Sequence, residues 1–266
     1  MTSLSPTLRP TVASLSDLRR ANPAMWNTGI AFLVLCAVCL GLTQIDHRLF
    51  NGIDVWIKPA KFFGSVGLHF LTVTAALLLL PEKTRASVNI RTLAWLMVAM
   101  MVFETSYISF RAARLEASHY NETPWGAVAY SLMGFGAVAF VLFTAWIGVL
   151  VLRQGPATLL ARAVGWSFII SAPLTIVTAG MLSAMETHWV GGDQTDATGL
   201  PFFHWSTTGG DLRPAHFFAL HLIQIVPAAA LTGSKRLTLA AGILTVAAAI
   251  GSFGLGLAGI PLIPLH

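Results

Sequence analysis

Residues 125–152 read WGAVAYSLMGFGAVAFVLFTAWIGVLVL, a run of 28 residues that contains no charged side chain. A helix needs about 20 mostly apolar residues to cross a hydrocarbon layer of roughly 30 Å, because each residue adds about 1.5 Å. This run is long enough to cross a bilayer. It therefore predicts a transmembrane helix in the middle of the chain.

Six further segments on either side of this run have similar length and apolar character, at approximately 28–45, 62–81, 92–110, 163–185, 215–233 and 238–262. Only one of the seven, 92–110, contains an acidic residue, Glu104. The composition agrees, since 55% of the 266 residues are hydrophobic and 10% are charged, against roughly 25% charged in soluble domains. The sequence predicts an all-α, polytopic membrane bundle of about seven transmembrane helices over 28–262, after a cytoplasmic amino-terminal segment at 1–27.

The composition also argues against several other classes of protein. The formal net charge of +5 does not indicate nucleic acid binding, because the Lys and Arg residues stand singly or in pairs between apolar runs. Cys36 and Cys39 both lie in the first apolar run, so they offer no disulfide framework to the loops. Gly-rich phosphate loops and His-Glu-x-x-His or Gly-x-Ser-x-Gly motifs do not occur. The expected partners are the lipid bilayer and a lipid-soluble or other small-molecule substrate.

The charged residues are divided unequally between the two sides of the predicted bundle. Ten Lys and Arg residues, Arg9 among them, lie on the side of the amino terminus, and six lie on the other side. Cytoplasmic loops retain positive charge, so the amino terminus is expected in the cytoplasm and the carboxyl terminus outside the cell membrane. Eight of the eleven acidic residues fall on the outer side, where the longest loop runs over 186–214. The polar groups are therefore expected to face outward.

Three ionisable side chains lie inside predicted helices: His69, Glu104 and His221. Each is seven or eight residues from a basic residue at the outer end of its helix, which places it roughly 10 to 12 Å below the outer boundary. Ionisable residues at such depth are costly and normally face the bundle interior. Because the three share one depth, we predict that they meet in one site. Gln224 extends the polar stripe of His221, and this stripe could meet a close-packed patch at Gly67.

The residues around this level supply the predicted catalytic groups. Ser65 lies one helical turn before His69, on nearly the same face. Tyr107 and Arg111 share a face with Glu104, where the arginine could steady the carboxylate through the tyrosine or a water molecule. Glu104, Ser65, Tyr107 and Arg111 are therefore the predicted catalytic residues.

Three hypotheses of different class follow from these residues. In the first, His69 and His221 bind a zinc, iron or copper ion as neutral imidazoles in a metal-dependent hydrolase or oxidoreductase. Glu104 is then a third ligand or a general base. His216 and His188, at the outer ends of the sixth and fifth predicted helices, are further candidate ligands of the metal.

The other two hypotheses use the same residues differently. In the second, His69 and His221 are the axial ligands of a haem, and arginine side chains such as Arg213 pair with its propionates. In the third, the chain is a transporter or channel in which the His and Glu residues relay protons or bind a cation. The sequence leaves the three hypotheses open.

Residues 65–69, Ser-Val-Gly-Leu-His, resemble the Ser-x-x-x-His element of the seven-helix alkaline ceramidase and progestin-receptor-like zinc hydrolases. This resemblance bears on the first hypothesis. In that family a His-x-x-x-His pair on the last helix completes the metal site, whereas the last predicted helix here contains no histidine. His216 and His221 lie on the sixth helix with a spacing one residue longer, so the resemblance is confined to five residues.

Overall fold

The computed structural model describes residues 14–121 and 123–265, which form an almost entirely helical chain. The short helices are α1 (Leu15–Ala21) and α4 (Glu82–Arg85). The long helices are α2 (Pro23–Leu42), α3 (Ile57–Leu77), α5 (Val88–Ala113), α6 (Pro124–Gln154), α7 (Leu159–Met185), α8 (Arg213–Ala230) and α9 (Lys235–Leu257). Arg9, Glu122 and His266 lie outside the described residues.

Six of the long helices in the described chain are apolar and long enough to cross a membrane: α2, α3, α5, α6, α7 and α9. This confirms the prediction of an all-α membrane bundle. The predicted count of seven spans is one too high by this measure, because α8, which corresponds to the span at 215–233, is not among the six. The mean hydropathy of α8 is lowered by four polar residues, Arg213, His216, His221 and Gln224. The helix nevertheless packs within the bundle, between α7 and α9.

Polar residues at the helix starts determine where the long helices begin. The side chain of Asn22 accepts a hydrogen bond from the Met25 amide at 3.1 Å, and Pro23 occupies the first helical turn. Both features are typical of a helix start, so α2 begins at Pro23, before the predicted span at 28–45. The starts of α5, α6, α7 and α9 are capped in the same way by Ser87, Thr123, Thr158 and Ser234.

The long helices alternate in direction, which gives the bundle two ends. We call the end with the segments that follow α2, α5 and α7 the loop end, and the opposite end, where α1 and the start of α2 lie, the amino-terminal end. The helix α3 packs closely on α2, because a Cβ atom at Gly67 would lie 3.0 Å from the Gly29 carbonyl oxygen. The patch at Gly67 thus packs against α2 rather than against α8.

A hydrophobic core cluster joins α2, α3, α5, α6 and α7. Many of its fully buried members lie toward the amino-terminal end, among them Met25, Leu77, Ile90 and Ile147. Packing of these side chains leaves little room for charged groups in that half of the bundle. The buried acidic residues, Glu104, Asp196 and Asp211, lie toward the loop end.

The loop end is closed by one small hairpin and by a long segment whose two ends pair as a second two-stranded sheet. Strand β1 (Leu49–Phe50) pairs antiparallel with β2 (Ile53–Asp54), and β3 (Trp189–Val190) pairs antiparallel with β4 (Gly210–Asp211). The segment between α7 and α8 docks on the first hairpin, where the Asp196 amide donates to the Asn51 carbonyl oxygen at 3.0 Å. This segment therefore covers the helix ends instead of extending away from them.

Candidate functional site

The segment between α7 and α8 holds a network of charged side chains centred on Arg213. The guanidinium donates to the Asp211 carboxylate at 2.6 Å and lies 2.8 Å from Asp196 Oδ1. It also donates to the carbonyl oxygen of His204. His188 Nε2 lies 3.4 Å from the same Asp196 oxygen. Both carboxylates are buried, at 3% exposed for Asp211 and 6% for Asp196, so the network is part of the structure of the loop end.

Burial and pairing set the ionisation of this network. Burial favours a higher pKa for the Asp196 carboxyl, but hydrogen bonding from His188 and the charge of Arg213 hold that pKa below its ordinary value. Burial lowers the pKa of the His188 imidazole, although its hydrogen bond with Asp196 opposes the shift. At neutral pH, Asp196 is therefore ionised and His188 is neutral.

A second polar cluster lies where the first turn of α3 meets the segment after α5. Lys58 Nζ lies 3.4 Å from His119 Nδ1, and Ser118 Oγ lies 3.1 Å from the same nitrogen. Burial and the charge of Lys58 lower the pKa of His119 well below its ordinary value, so a neutral imidazole faces the lysine. Lys61, one turn along α3, donates to the Phe203 carbonyl oxygen at 2.8 Å. The two lysines therefore connect α3 to two separate segments of the loop end.

His69 is a residue of α3, is 4% exposed and faces α6. Its Nε2 atom is 2.8 Å from Thr144 Oγ1, and its ring centroid is 4.3 Å from that of Phe140. The Thr144 hydroxyl donates its single hydrogen to the Phe140 carbonyl oxygen at 2.9 Å. When the Thr144 hydrogen is used in this way, the His69 Nε2–H group donates to Thr144. Nδ1 is then the ring nitrogen of His69 that can accept a hydrogen bond or bind a ligand.

Glu104 is 6% exposed on the buried face of α5, which packs against α3 and α6. Within the described residues its Oε2 atom has no hydrogen-bond partner, and the same is true of the Tyr107 hydroxyl one turn along. Arg111 instead forms an ion pair with Glu116 at 2.7 Å, and its Cζ atom lies 5.8 Å from the centre of the Tyr107 ring. Arg111, which was expected to stabilise the Glu104 carboxylate, therefore pairs with the Glu116 carboxylate instead.

The polar residues of α8 have separate partners. His216 Nδ1 lies 3.3 Å from Thr178 Oγ1 on α7, and His221 packs against an aromatic ring one turn earlier in α8. Gln224 Nε2 donates to Thr72 Oγ1 on α3 at 3.2 Å, whereas its Oε1 atom has no partner among the described residues. The polar stripe of α8 therefore reaches α3 at Thr72.

The predicted site residues lie within one half of the bundle, but no direct hydrogen bond of the described residues joins His69, Glu104 and His221. In the same part of the chain, no three His, Cys, Asp or Glu side chains form a group that could hold a metal ion. Ser65 lies on α3, half-buried, one turn before His69. The shared site, and the metal ion or haem expected there, stay predictions.

Three residues of this region are missed by reading the sequence for sites: Lys58, Thr144 and Asp196. Thr144 is one of several hydroxyl residues in an apolar run, and Asp196 stands in a Gly-rich segment without a motif. A signal does exist for Lys58, because Lys58 and Lys61 both occupy the first turns of a helix, where the helix dipole favours negative charge. Two basic residues in that position indicate a role other than stabilising the helix.

Comparison of the chain with known protein families, with curated proteins and with solved structures gave no match. The five-residue resemblance at 65–69 is therefore not extended by any of them. Because function resides in sites rather than in folds, the residues of this chain are the basis for inferring what it does.

Proposed function

We propose that this membrane protein is a carrier that couples the passage of a small solute to protonation of Glu104. The observation that carries the proposal is the burial of this carboxyl group inside a transmembrane helix, with its Oε2 atom unpartnered among the described residues. A carboxyl group there costs about 2.5 to 3.5 kcal/mol on insertion scales, and such groups commonly mark proton or ion pathways. A carboxyl group with only a structural role is expected to have both oxygens hydrogen-bonded.

The distribution of polar and apolar side chains supports access from one side at a time. Polar groups extend from the loop end inward to Gln224 and Thr72, beyond which the fully buried Val73, Leu77 and Ile90 lie toward the amino-terminal end. Such a core does not accommodate a continuous water-filled channel. A carrier, which opens its site first to one side and then to the other, requires no such channel.

Two prolines lie at positions where this opening could occur. Pro173 lies inside α7 and Pro227 inside α8. A proline within a helix removes one backbone hydrogen bond and bends the helix at that turn. Because α8 carries His221 and Gln224 and packs on α7, bending of this pair would move the polar stripe relative to α3.

The charge of Lys58 supports a small anion as the solute. Arg213 is matched by the carboxylates of Asp211 and Asp196, whereas Lys58 Nζ contacts the neutral imidazole of His119. Among the described residues no carboxylate forms an ion pair with Lys58, so its positive charge is available to a ligand. A proton on Glu104 would remove the negative charge that otherwise repels an anion in the same half of the bundle.

Proton uptake by vesicles tests this proposal. Purified protein is reconstituted into vesicles that enclose a pH-sensitive dye, and an inward gradient of inorganic phosphate or of succinate is imposed as the probe anion. Wild-type protein is expected to acidify the lumen. Glu104→Gln keeps the shape of the side chain and removes its ionisation, so this variant is expected to match protein-free vesicles. Asp193→Asn, an exposed change at the loop end, is expected to retain the wild-type rate.

Two outcomes would contradict the proposal. The first is that wild-type vesicles show no acidification with either anion, whichever way the gradient is imposed. The second is that purified protein carries a metal ion or shows a Soret band that is lost in His69→Ala and His221→Ala. This second result would favour the metal or haem hypothesis in place of the carrier.

A further inference from the structure

A cavity of about 860 Å³ lies at the amino-terminal end, between α1, the start of α2, α4 and the start of α5. Three arginines line it, each from a different helix: Arg20 from α1, Arg85 from α4 and Arg91 from α5. We call this cavity, with its three guanidinium groups, the arginine cleft. Its volume is within the range of small-molecule sites, which is roughly 300 to 1,000 Å³.

The two acidic residues that line the arginine cleft leave it with a net positive charge, because three arginines face two carboxylates. The Asp17 carboxylate accepts hydrogen bonds from the Ser14 amide at 3.0 Å and from the Ser14 hydroxyl at 2.7 Å, which caps α1. These bonds, together with the charges of Arg20 and Arg85, lower the pKa of Asp17. Glu82 is exposed, and no ion pair within the described residues joins either acid to a cleft arginine. Five donor groups on each guanidinium are therefore available to a ligand.

The position of the arginine cleft relative to the membrane indicates the source of that ligand. Trp95, which lines the cleft, is 62% exposed, and Val102, two turns along the same face of α5, is 41% exposed. Exposed apolar side chains of a membrane-spanning helix face lipid, and tryptophan is enriched at the level of the headgroups. The cleft therefore opens beside the lipid-facing surface of α5, where acyl chains can lie directly below it.

We propose that the arginine cleft binds the phosphate group of an anionic phospholipid. Arginine suits this role because its planar fork donates to two phosphate oxygens at once. Contributions from three helices would make the lipid a bridge between α1, α4 and α5. This site is at the opposite end of the bundle from Glu104, and it does not depend on the proposed carrier function.

Binding of brominated lipids to purified protein in detergent micelles tests the proposal. Quenching of tryptophan fluorescence reports occupancy, with phosphatidylglycerol as the anionic probe and phosphatidylcholine as the zwitterionic one. Wild-type protein is expected to prefer phosphatidylglycerol. The triple variant R20Q/R85Q/R91Q is expected to lose affinity for it by on the order of 100-fold, because each basic residue near an anionic surface contributes about 1 kcal/mol, which is roughly fivefold. Trp95→Phe should remove much of the quenching.

The matched control is R153Q/R162Q/R236Q, which removes the same charge from exposed positions at the same end but outside the arginine cleft. It is expected to keep most of the wild-type preference. Equal losses in the two triple variants, or no preference in wild type, would overturn the proposal. Displacement of the lipid by an equal concentration of inorganic phosphate would assign the cleft to a soluble phosphate instead. If the cleft variant fails to fold, Arg91→Gln and Arg162→Gln are compared, with roughly fivefold loss expected only for Arg91→Gln.

Discussion

The two ends of the bundle carry arginines in opposite environments. At the loop end, the Arg213 side chain is 24% exposed and is bound between the buried carboxylates of Asp211 and Asp196. At the amino-terminal end, Arg20 and Arg91 are exposed, and neither forms an ion pair within the described residues. The charge of Arg213 at the loop end is paired inside the protein, whereas the charges of Arg20 and Arg91 at the amino-terminal end face the surroundings.

Residue type alone therefore does not determine what a charged side chain does in a membrane protein. A buried pair holds a segment in place, and removal of one partner leaves an uncompensated charge. An exposed cation contributes little to folding, but its field reaches about 10 Å and acts on lipid headgroups and on orientation in the membrane.

The orientation of the bundle in the membrane gives an all-or-none result. The two ends have distinct roles only if they face different compartments. The predicted topology places the amino-terminal end in the cytoplasm. A reporter that is active only in the cytoplasm should therefore be inactive when fused after His266 and active when inserted between Glu82 and Arg85. Activity of the carboxyl-terminal fusion would place the loop end in the cytoplasm, and would contradict the predicted orientation.

Removal of Arg213 should give the largest change in stability. We expect Arg213→Ala to lower the free energy of unfolding in detergent by about 3 to 5 kcal/mol, because two buried carboxylates lose their cation. Arg48→Ala is the matched control, since Arg48 pairs with Asp46 at a similar 2.7 Å but is 46% exposed. Its loss should cost less than about 1 kcal/mol. If the two variants lost similar amounts of unfolding free energy, burial would not determine how much an ion pair contributes to stability in this protein.

Local properties of this chain are readable from its sequence. The apolar runs predict the long helices, because the cost of unpaired backbone groups in lipid leaves few alternatives to helix. The same reasoning predicts that His69 and Glu104 face the interior, and both are buried. The exception is α8, whose two histidines and glutamine lower the hydropathy on which the predicted span depends, although the helix packs between α7 and α9.

Contacts between residues that are far apart in the sequence cannot be predicted in this way. His69 meets Thr144, which is 75 residues away, and that pairing depends on how α3 and α6 are rotated about their axes. The contact of Arg111 with Glu116 has a local origin, because Leu115 adopts a left-handed conformation at φ 57° and turns the chain back toward α5. Leucine gives no signal for such a turn. A single sequence therefore predicts which residues are buried better than it predicts what they touch.

The polar cluster at His119 predicts a pH dependence specific to the loop end. An unfolded histidine has a pKa near 6.5, whereas partial burial against Tyr120 and Tyr130 and the charge of Lys58 lower the pKa in the folded protein. Below about pH 6.5, this histidine is protonated in the unfolded chain but stays neutral in the folded protein. The free energy of unfolding should therefore fall as the pH drops. Above that value this residue should contribute no pH dependence.

The measurement is the unfolding free energy in detergent between about pH 7.5 and about pH 5, a range that brackets the pKa of about 6.5 of an unfolded histidine. The slope due to His119 should approach about 1.4 kcal/mol per pH unit, and His119→Gln should remove it. The exposed His47 supplies the control variant His47→Gln, which should leave the slope unchanged. Any slope that remains in His119→Gln belongs to other buried histidines such as His188, whereas a slope as steep as that of wild type would contradict the prediction for His119.

The smallest expected effect lies where the polar half of the bundle ends, at the hydrogen bond from Gln224 Nε2 to Thr72 Oγ1. Hydrogen bonds between helices inside a membrane contribute about 0.6 kcal/mol on average, because the separated helices find other partners. A double-mutant cycle with Thr72→Val and Gln224→Met should therefore give a coupling energy near that value. Thr74→Val is the control, since the Thr74 hydroxyl donates only within α3, to the Phe70 carbonyl oxygen, and should show no coupling to Gln224. A coupling energy of zero would mean that α8 is held by α7 and α9 alone. It would then be free to move relative to α3, and the boundary between the two halves would be set by the apolar core instead of by this bond.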